Sequence, residues 1–359
     1  MEKIKFVQVG CGGFGSFLLE ALYSSKEGKL VGIFDKNKQK GREIAKKFHL
    51  SLFNSLEEIL QIPEIQCLVI ATPHFCHFPQ VRASLLAGKH VFCEKPLGLN
   101  QKEVETLLSL AEKKGLKLTV DFPLRASPIF NLSRKILQRQ ILGPLHFVLF
   151  ENWAGERKKQ TSWYHNKRQS GGWFLTSEIH FFDLLNWYLG FPQKIDAWEK
   201  KDNEGKTIET LSHLFFPSQT QSLVYHHLDS PRGETLSYFI FNEGLLLIQG
   251  WVPFQAKLFA RKSLPEGLLV KEKNWQIRKK SANICHFRCL LEEKKEYQRL
   301  VRTLFDQFLQ SIKKGKRENL LPSPEEIKEG EKIALLAQKS ADLNQSLFYK
   351  FPKRGKVSF

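Results

Sequence analysis

The stretch "KIKFVQVGCGGFG", residues 3–15, joins a short apolar run to a turn that contains three spaced glycines, Gly10, Gly12 and Gly15. A glycine pattern of this kind is weak alone, but here it follows a predicted strand and opens a predicted helix. A second predicted strand then ends at Asp35, 20 residues after Gly15. Small residues let the backbone approach a pyrophosphate, which binds at the amide-rich start of the helix. The stretch therefore predicts a dinucleotide-binding turn.

Asp35 bears on the choice of dinucleotide. A carboxylate at the end of the second strand can accept a hydrogen bond from the ribose 2′-hydroxyl, and it would repel a 2′-phosphate. We therefore expect NAD as the cofactor. Lys36 and Lys38 lie beside Asp35 and keep NADP open as an alternative.

The rest of the first 123 residues continues the same rhythm of apolar runs and amphipathic runs. This alternation predicts βαβ units around a parallel sheet, with ligands at the carboxyl ends of the strands. We predict an α/β, Rossmann-type domain over residues 1–123. Its expected strands cover 3–10, 29–35, 66–72, 89–95 and 116–122, and its expected helices 13–24, 37–48, 77–87 and 100–114.

Residues 124–359 follow a different pattern. A helix near 127–139 and a strand at 145–153 precede several strands between 194 and 261 that are joined by short turns. Such runs predict an α+β domain with a large, mostly antiparallel sheet. Helices near 291–313 and 324–342 close the chain and are expected to pack back, the second with Ser323 as its N-cap.

Composition limits the classes of partner and the cellular location that we expect. The chain has 359 residues, of which 42% are hydrophobic and 26% charged, and a formal net charge of +18. The basic residues are dispersed and accompany no nucleic-acid-binding module, so we expect neither a nucleic acid nor a membrane partner. The start of the chain holds no apolar run typical of a signal peptide or a membrane span, which favours a cytoplasmic location. Six scattered cysteines without a CxxC pair predict no metal site.

Residues 69–100, "VIATPHFCHFPQVRASLLAGKHVFCEKPLGLN", carry a resemblance to a known family. The ATP turn at 71–73, the AGKHV segment at 87–91 and the EKP segment at 94–96 resemble the glucose-fructose oxidoreductase/inositol dehydrogenase (Gfo/Idh/MocA) family. The resemblance extends over nearly the whole chain. It implies that Lys95 is the catalytic lysine, which holds a substrate oxygen beside the nicotinamide. The cofactor-binding residues expected from the turn and the resemblance are Gly10, Gly12, Gly13, Phe14, Gly15, Asp35, Thr72, Pro73, His74, His77, Glu94 and Lys95.

The segment "SGGWFLTSEIHFFD", residues 170–183, places a histidine among aromatic residues. If 173–189 is one helix, Thr176, His180 and Asp183 share a face. Taken from the residues alone, His180 is either a buried core histidine or a proton-transfer group. The resemblance implies the second role, that of a catalytic general base. Thr176 stands where the family has an aspartate, so His180 is expected to rely either on Lys95 alone or on Asp183 as a hydrogen-bond acceptor.

The substrate implied by the resemblance is a sugar, sugar derivative or cyclitol, which loses a hydride from a secondary hydroxyl to NAD. The residues predicted to bind it are Arg125, Trp163, Tyr164, Thr176 and Asp183. A structural ion pair is an equal alternative for Arg125, and a place in the core for the two aromatic residues. The resemblance also implies that residues 124–359 form the substrate-binding and oligomerisation domain, and that the protein is a homodimer or homotetramer. Two other functions stay open: an NAD-binding sensor without catalysis, and an enzyme that uses NAD transiently to cleave a glycosidic bond.

Overall fold

The computed structural model describes residues 2–154, 162–231, 233–265, 268, 272–316, 318 and 320–349. The chain divides into two compact units. The first comprises Met1–Ser127, Thr161–Gly172 and Glu292–Glu331, and the second comprises Pro128–Gln160, Trp173–Leu291 and Lys332–Phe359.

The first unit is built on a six-stranded sheet in which every strand is parallel to its neighbours. Its strand order is β3-β2-β1-β4-β5-β6. The strands are β1 Ile4–Val9, β2 Gly28–Phe34, β3 Ser51–Leu52, β4 Cys67–Ile70, β5 His90–Cys93 and β6 Leu118–Val120. All five strands predicted from the apolar runs are present. The sequence analysis missed β3, because a strand of two residues is too short to form an apolar run.

Helices connect these strands as the alternating pattern predicts. They are α1 Gly13–Tyr23, α2 Lys38–Phe48, α3 Leu56–Leu60, α4 His77–Leu86 and α5 Gln101–Lys113. The four predicted helices end within two residues of their expected limits, and α3 is an additional short helix. The predicted Rossmann-type fold is confirmed.

A helix from the end of the chain completes the core of the first unit. In this helix, Glu293–Lys314, Phe305 packs against Phe6 of β1 and Phe92 of β5, with ring centroids 4.8 and 5.2 Å apart. All three rings are fully buried. The helix therefore covers one face of the sheet and leaves the carboxyl ends of the strands free for loops.

The second unit is built on a ten-stranded sheet. Its strands are β7 Leu145–Ala154, β8 Lys194–Lys201, β9 Thr207–Phe215, β10 Gln221–His227, β11 Gly233–Phe241, β12 Gly244–Gln249, β13 Gln255–Ala260, β14 Trp275–Ser281, β15 Ile284–Cys289 and β16 Leu347–Phe348. Their order is β14-β15-β13-β12-β11-β7-β10-β9-β8-β16. Among the described strand pairs of this second sheet, only β7 and β10 pair in parallel. The predicted α+β domain with a mostly antiparallel sheet is confirmed.

The remaining helices are α6 Pro128–Gln138, α7 Ser162–His165, α8 Lys167–Ser170, α9 Ile179–Leu189, α10 Glu293–Lys314 and α11 Pro324–Leu343. At the start of α11, Ser323 Oγ accepts a hydrogen bond from the Glu326 amide at 3.1 Å, and Glu326 Oε2 accepts one from the Ser323 amide at 2.7 Å. This reciprocal pair is a capping box. It confirms Ser323 as the N-cap.

The helix predicted over 173–189 is not uniform. Phe174–Glu178 forms a π-helical turn, and α9 begins only at Ile179. A π-turn closes its hydrogen bonds over five residues rather than four, so four residues span less than one full turn there. The prediction of one regular helix was therefore wrong at its first turn, and the offset between Thr176 and His180 differs from that of an α-helix.

Two kinds of structural feature are absent from the described residues. None of the helices in the described residues combines the length and apolar character that crossing a bilayer requires. The described residues also hold no group of three or more His, Cys, Asp or Glu side chains arranged to bind a metal ion.

Candidate active site

The turn after β1 needs glycine for two different reasons. Gly10 has a φ of +94°, and a Cβ added there would lie 2.4 Å from the Ala71 carbonyl oxygen. Gly12, in contrast, has no atom within 4 Å of an added Cβ. Gly10 is therefore fixed by packing against the loop after β4, whereas Gly12 leaves open space at the start of α1.

Two polar side chains hold this turn in place. Gln8, fully buried in β1, donates through Nε2 to the carbonyl oxygens of Gly10 and Gly15 at 2.8 and 2.6 Å. Asp35 Oδ2 accepts a hydrogen bond from the Cys11 amide at 2.7 Å. Asp35 therefore lies beside the glycine turn, as the spacing predicts. Gln8 was missed because it occupies a position that the pattern assigns to an ordinary buried strand residue.

The loop after β4 is stabilised by buried histidine contacts. Both ring nitrogens of His77 face carbonyl oxygens, Nδ1 that of Pro96 at 2.6 Å and Nε2 that of Thr72 at 2.8 Å. Burial lowers the pKa of His77, and the two carbonyl oxygens oppose part of that shift. The ring joins the loops after β4 and β5. We therefore expect His77 to act on a cofactor through these loops, with Thr72 and Pro73 nearer to it.

His74 joins the same loop to the segment that carries the two predicted substrate-binding aromatic residues. Its Nδ1 lies 2.8 Å from the Ser170 carbonyl oxygen, and its ring packs edge-on against Trp163 at 4.8 Å between centroids. Trp163 stacks on Tyr164 at 4.0 Å. Burial and then the charges of Lys95 and His77 lower the pKa of His74 well below its usual range, so the ring is neutral near pH 7. The structure thus brings His74, Trp163 and Tyr164 together within the first unit.

Lys95 follows β5 and is partly exposed beside two buried carboxyl groups. Burial lowers its pKa, and the neighbouring Glu94 and Asp121 oppose that shift. Burial raises the pKa of Glu94 to about 7 and that of Asp121 well above its usual range. Asp121 was missed by the sequence analysis, because its proximity to Lys95 depends on the pairing of β5 with β6.

The turn that contains Lys95 is stabilised by a buried acidic residue of α11. Glu331 accepts hydrogen bonds from the amides of Leu97 and Gly98, the second at 3.3 Å. Burial raises the pKa of Glu331 to about 8, against the effect of the two amides. The position of Lys95 therefore depends on a residue more than 200 positions away in the sequence.

Arg125 has a structural partner. Its fully buried guanidinium forms an ion pair with Glu326 of the α11 capping box, at 3.3 Å between Nη1 and Oε2. This contact is the structural alternative that the sequence left open. A direct role of Arg125 in substrate binding stays a prediction.

In the second unit, His180 lies on α9 and is almost fully buried. Its ring packs edge-on against Trp251 at 5.0 Å between centroids. Thr176 and Asp183 are buried as well. Glu178, also buried, accepts a hydrogen bond from Ser212 Oγ of β9 at 2.7 Å, and burial raises its pKa to about 8. Trp251 and Glu178 gave no signal in the sequence.

These residues can be compared with what a dinucleotide requires. The open space at Gly12 lies at the start of α1, where Gly12 is the N-cap residue and has no side chain to cap the amides of the first turn. Such amides bind a pyrophosphate. Asp35 is held at the end of β2, where a ribose hydroxyl can reach it. The residues present therefore fit an adenine dinucleotide.

Comparison with known proteins gives the same assignment. Residues 4–122 match the oxidoreductase family with an NAD-binding Rossmann fold, Gfo/Idh/MocA, and residues 130–241 match its C-terminal domain. The chain belongs to the Gfo/Idh/MocA family. The two matches together cover more than half of the chain, and the resemblance seen in the sequence is confirmed.

Individual members of the Gfo/Idh/MocA family differ in their named substrates. Glucose-6-phosphate 3-dehydrogenase of Bacillus subtilis is 28% identical over 53% of this chain and 54% of its own length. Trans-1,2-dihydrobenzene-1,2-diol dehydrogenase of the mouse is 28% identical over 70% of this chain and 76% of its own length. The chain spans about half the length of the first curated relatives that it matches.

Among solved structures, GenD2 from gentamicin A biosynthesis, in complex with NAD, superposes with a TM-score of 0.81. It is 19% identical and covers 98% of this chain and 97% of its own. At this identity the likeness shows the fold, which is that of the two units described above.

Proposed function

We propose that this Gfo/Idh/MocA protein is an NAD-dependent dehydrogenase that oxidises a secondary hydroxyl on the ring of a sugar, sugar derivative or cyclitol. The arrangement that carries the proposal lies at the carboxyl ends of three adjacent strands, β1, β4 and β5. These ends bear the glycine turn, the Thr72–His77 loop and Lys95. In sheets of this type the cofactor and the reacting group meet at that edge.

The named relatives support the substrate class. The printed names of the Bacillus subtilis and mouse enzymes describe a sugar phosphate and a cyclic diol. Both are six-membered rings that carry secondary hydroxyl groups. We therefore favour a ring hydroxyl over a primary alcohol or an open-chain acid.

Lys95 and His180 are the proposed acid and base. When bound, NAD accepts the hydride. The Lys95 ammonium donates a hydrogen bond to the substrate oxygen and stabilises negative charge on it. His180 Nε2 or Nδ1 takes the hydroxyl proton, for which an imidazole is suited near neutral pH. Trp163 and Tyr164 offer flat apolar surfaces to the carbon face of a ring.

The test is the appearance of NADH absorbance with NAD or NADP and a panel of sugars, sugar phosphates, sugar acids and inositols. We expect turnover of at least one ring polyol, with NAD preferred. Binding of NAD without turnover on the whole panel would contradict the proposal and favour a sensor. Cofactor retained through purification, together with glycoside cleavage and no net NADH, would favour the NAD-assisted glycosidase.

We further propose that the protein is a homodimer or homotetramer in which the ten-stranded sheet supplies an interface. Leu223, Leu149, Tyr238 and Leu247 form a cross-strand row over four adjacent strands, and each is partly exposed. An apolar row of this kind is typical of an interaction surface. Tyr238→Glu places a charge in the row, and we expect it to lower the mass measured by light scattering to that of a monomer. A wild-type protein that is already monomeric would contradict the proposal.

A further inference from the structure

Two buried carboxyl groups lie side by side at the carboxyl edge of the first sheet. Glu94 directly follows β5 and Asp121 directly follows β6, and the last residues of these strands, Cys93 and Val120, are paired. The Asp121 amide donates to the Cys93 carbonyl oxygen at 2.8 Å. The side chains are only 8% and 1% exposed. Neighbouring parallel strands therefore bring the two acids to one buried place.

The oxygen atoms of these groups require a proton. With both groups ionised, Oε1 of Glu94 and both carboxyl oxygens of Asp121 are buried without a hydrogen-bond donor among the described residues. Two adjacent carboxylates also repel each other strongly when water is excluded. A proton on one group turns it into a donor to the other, which gives the hydrogen bond between Glu94 and Asp121. One proton thus removes the repulsion and supplies the missing hydrogen-bond donor.

The charged surroundings of the pair are specific. Lys95 interacts electrostatically with both carboxyl groups. His74 and His77 both interact with Lys95, and Tyr164 interacts with Glu94. The two histidines have lowered pKa values and are neutral near pH 7, so Lys95 is the cation that faces the pair within this group.

We propose that Glu94 and Asp121 share one proton, and that the single negative charge left on the pair is the counter-ion that keeps Lys95 an ammonium. With two negative charges the pair would exceed the single charge of Lys95, and with none it would remove the negative charge that stabilises the partly buried ammonium. Both acids are positioning residues that act through Lys95. The catalytic use of a charged Lys95 rests on the proposed function. The sharing of a proton between Glu94 and Asp121 does not depend on it.

The shared proton is tested by the pH dependence of unfolding, measured with denaturant for wild type, Asp121→Asn and Glu94→Gln. The slope of the unfolding free energy against pH gives the difference in bound protons between the unfolded and folded states. Above the ordinary range of carboxyl pKa values the unfolded chain has lost this proton and the folded pair keeps it. Wild-type stability should therefore fall as pH rises, and both variants should show a slope shallower by up to one proton.

A matched control is Asp306→Asn. Asp306 lies on α10 and accepts a hydrogen bond from Ser25 Oγ, next to the amino end of β2. This variant should keep the wild-type slope. Equal slopes in wild type and in both pair variants would overturn the proposal. If Asp121→Asn does not fold, Glu94→Gln carries the same comparison.

The counter-ion role is tested by acetylation of Lys95 with acetic anhydride over a range of pH, read by peptide mass spectrometry. Only the neutral amine reacts. Either single variant leaves one carboxylate and should react like wild type, whereas the Glu94→Gln/Asp121→Asn double variant should acetylate at clearly lower pH. Acetylation of the double variant at the wild-type pH would overturn the counter-ion role.

Neither readout needs a substrate. A protein without dehydrogenase activity but with the predicted slopes would refute the proposed function alone. Turnover accompanied by equal slopes would refute the shared proton alone.

Discussion

The glycine turn after β1 and the helical segment 174–189 form their predicted sites in different ways. At the turn, function depends on backbone: Gly10 packs against the Ala71 carbonyl oxygen, and Gly12 leaves the helix start open. In the helical segment, the proposed proton-transfer site depends on side chains whose neighbours are distant in the sequence, since His180 packs against Trp251 in the turn after β12 and Glu178 accepts a hydrogen bond from Ser212 of β9.

This difference determines how each region tolerates substitution. A single added carbon disturbs a backbone-defined site in one of two ways: it collides with close-packed atoms, as at Gly10, or it fills space that a ligand needs, as at Gly12. A side-chain site buried among polar groups is sensitive to charge, because each ionised group there must be compensated.

Gly10→Ala and Gly12→Ala separate folding from binding within the turn. At Gly10 the new Cβ meets backbone and φ is positive, so we expect a loss of about 3 kcal/mol in unfolding free energy. Gly12→Ala should change stability by less than about 1 kcal/mol, because its Cβ has space, yet it should weaken NAD binding tenfold or more. Chemical denaturation and calorimetric titration with NAD measure the two effects. Equal destabilisation by both substitutions would contradict the distinction.

Glu178→Gln tests the effect of charge in the helical segment. The folded-state pKa of about 8 lies above the ordinary value, so the folded protein must keep a proton that the unfolded chain releases as pH rises. Wild type should therefore lose stability between about pH 4.5 and pH 8, and the glutamine variant should lose less, by the contribution of this one proton. At pH 7 we expect the variant to be more stable by up to about 3 kcal/mol. If the unfolding free energies of the two proteins changed with pH in parallel, a neutral Glu178 in the folded protein would be ruled out.

Asp35→Asn is expected to have the smallest effect, confined to cofactor choice. The amide can still accept a hydrogen bond from the Cys11 amide, so the turn should remain intact. Loss of the negative charge should reduce the preference for NAD over NADP by about tenfold to a hundredfold, or about 1–3 kcal/mol. Dissociation constants for both dinucleotides, measured by calorimetry, give the ratio. An unchanged ratio would remove Asp35 from the selection of cofactor.

The fold could be predicted where it follows from local pattern. The strands and helices of the first unit repeat in periods that the sequence displays, and the glycine turn depends on residues only a few positions apart. The capping box at Ser323 is similarly local. The antiparallel sheet could be predicted as a class, but its ten-strand order could not, because strand order is set by pairings between distant segments.

The site was predictable only in part for the same reason. Asp121, Glu331 and Trp251 come close to the predicted residues through strand pairing and helix packing, which no local pattern records. The π-turn at 174–178 was missed because its residues have ordinary helical preferences, and tertiary packing decides the wider turn. Arg125 shows the reverse case, in which a residue with two equal interpretations gains a structural partner in Glu326.

The most direct test of the central claim is a comparison of wild type, Lys95→Met and His180→Asn for NAD binding and for turnover of the best substrate of the panel. We expect both variants to bind NAD within about threefold of wild type, and kcat to fall by about a hundredfold to ten-thousandfold in each, the range of a lost acid or base. Turnover close to wild type in Lys95→Met, with NAD binding intact, would contradict the account.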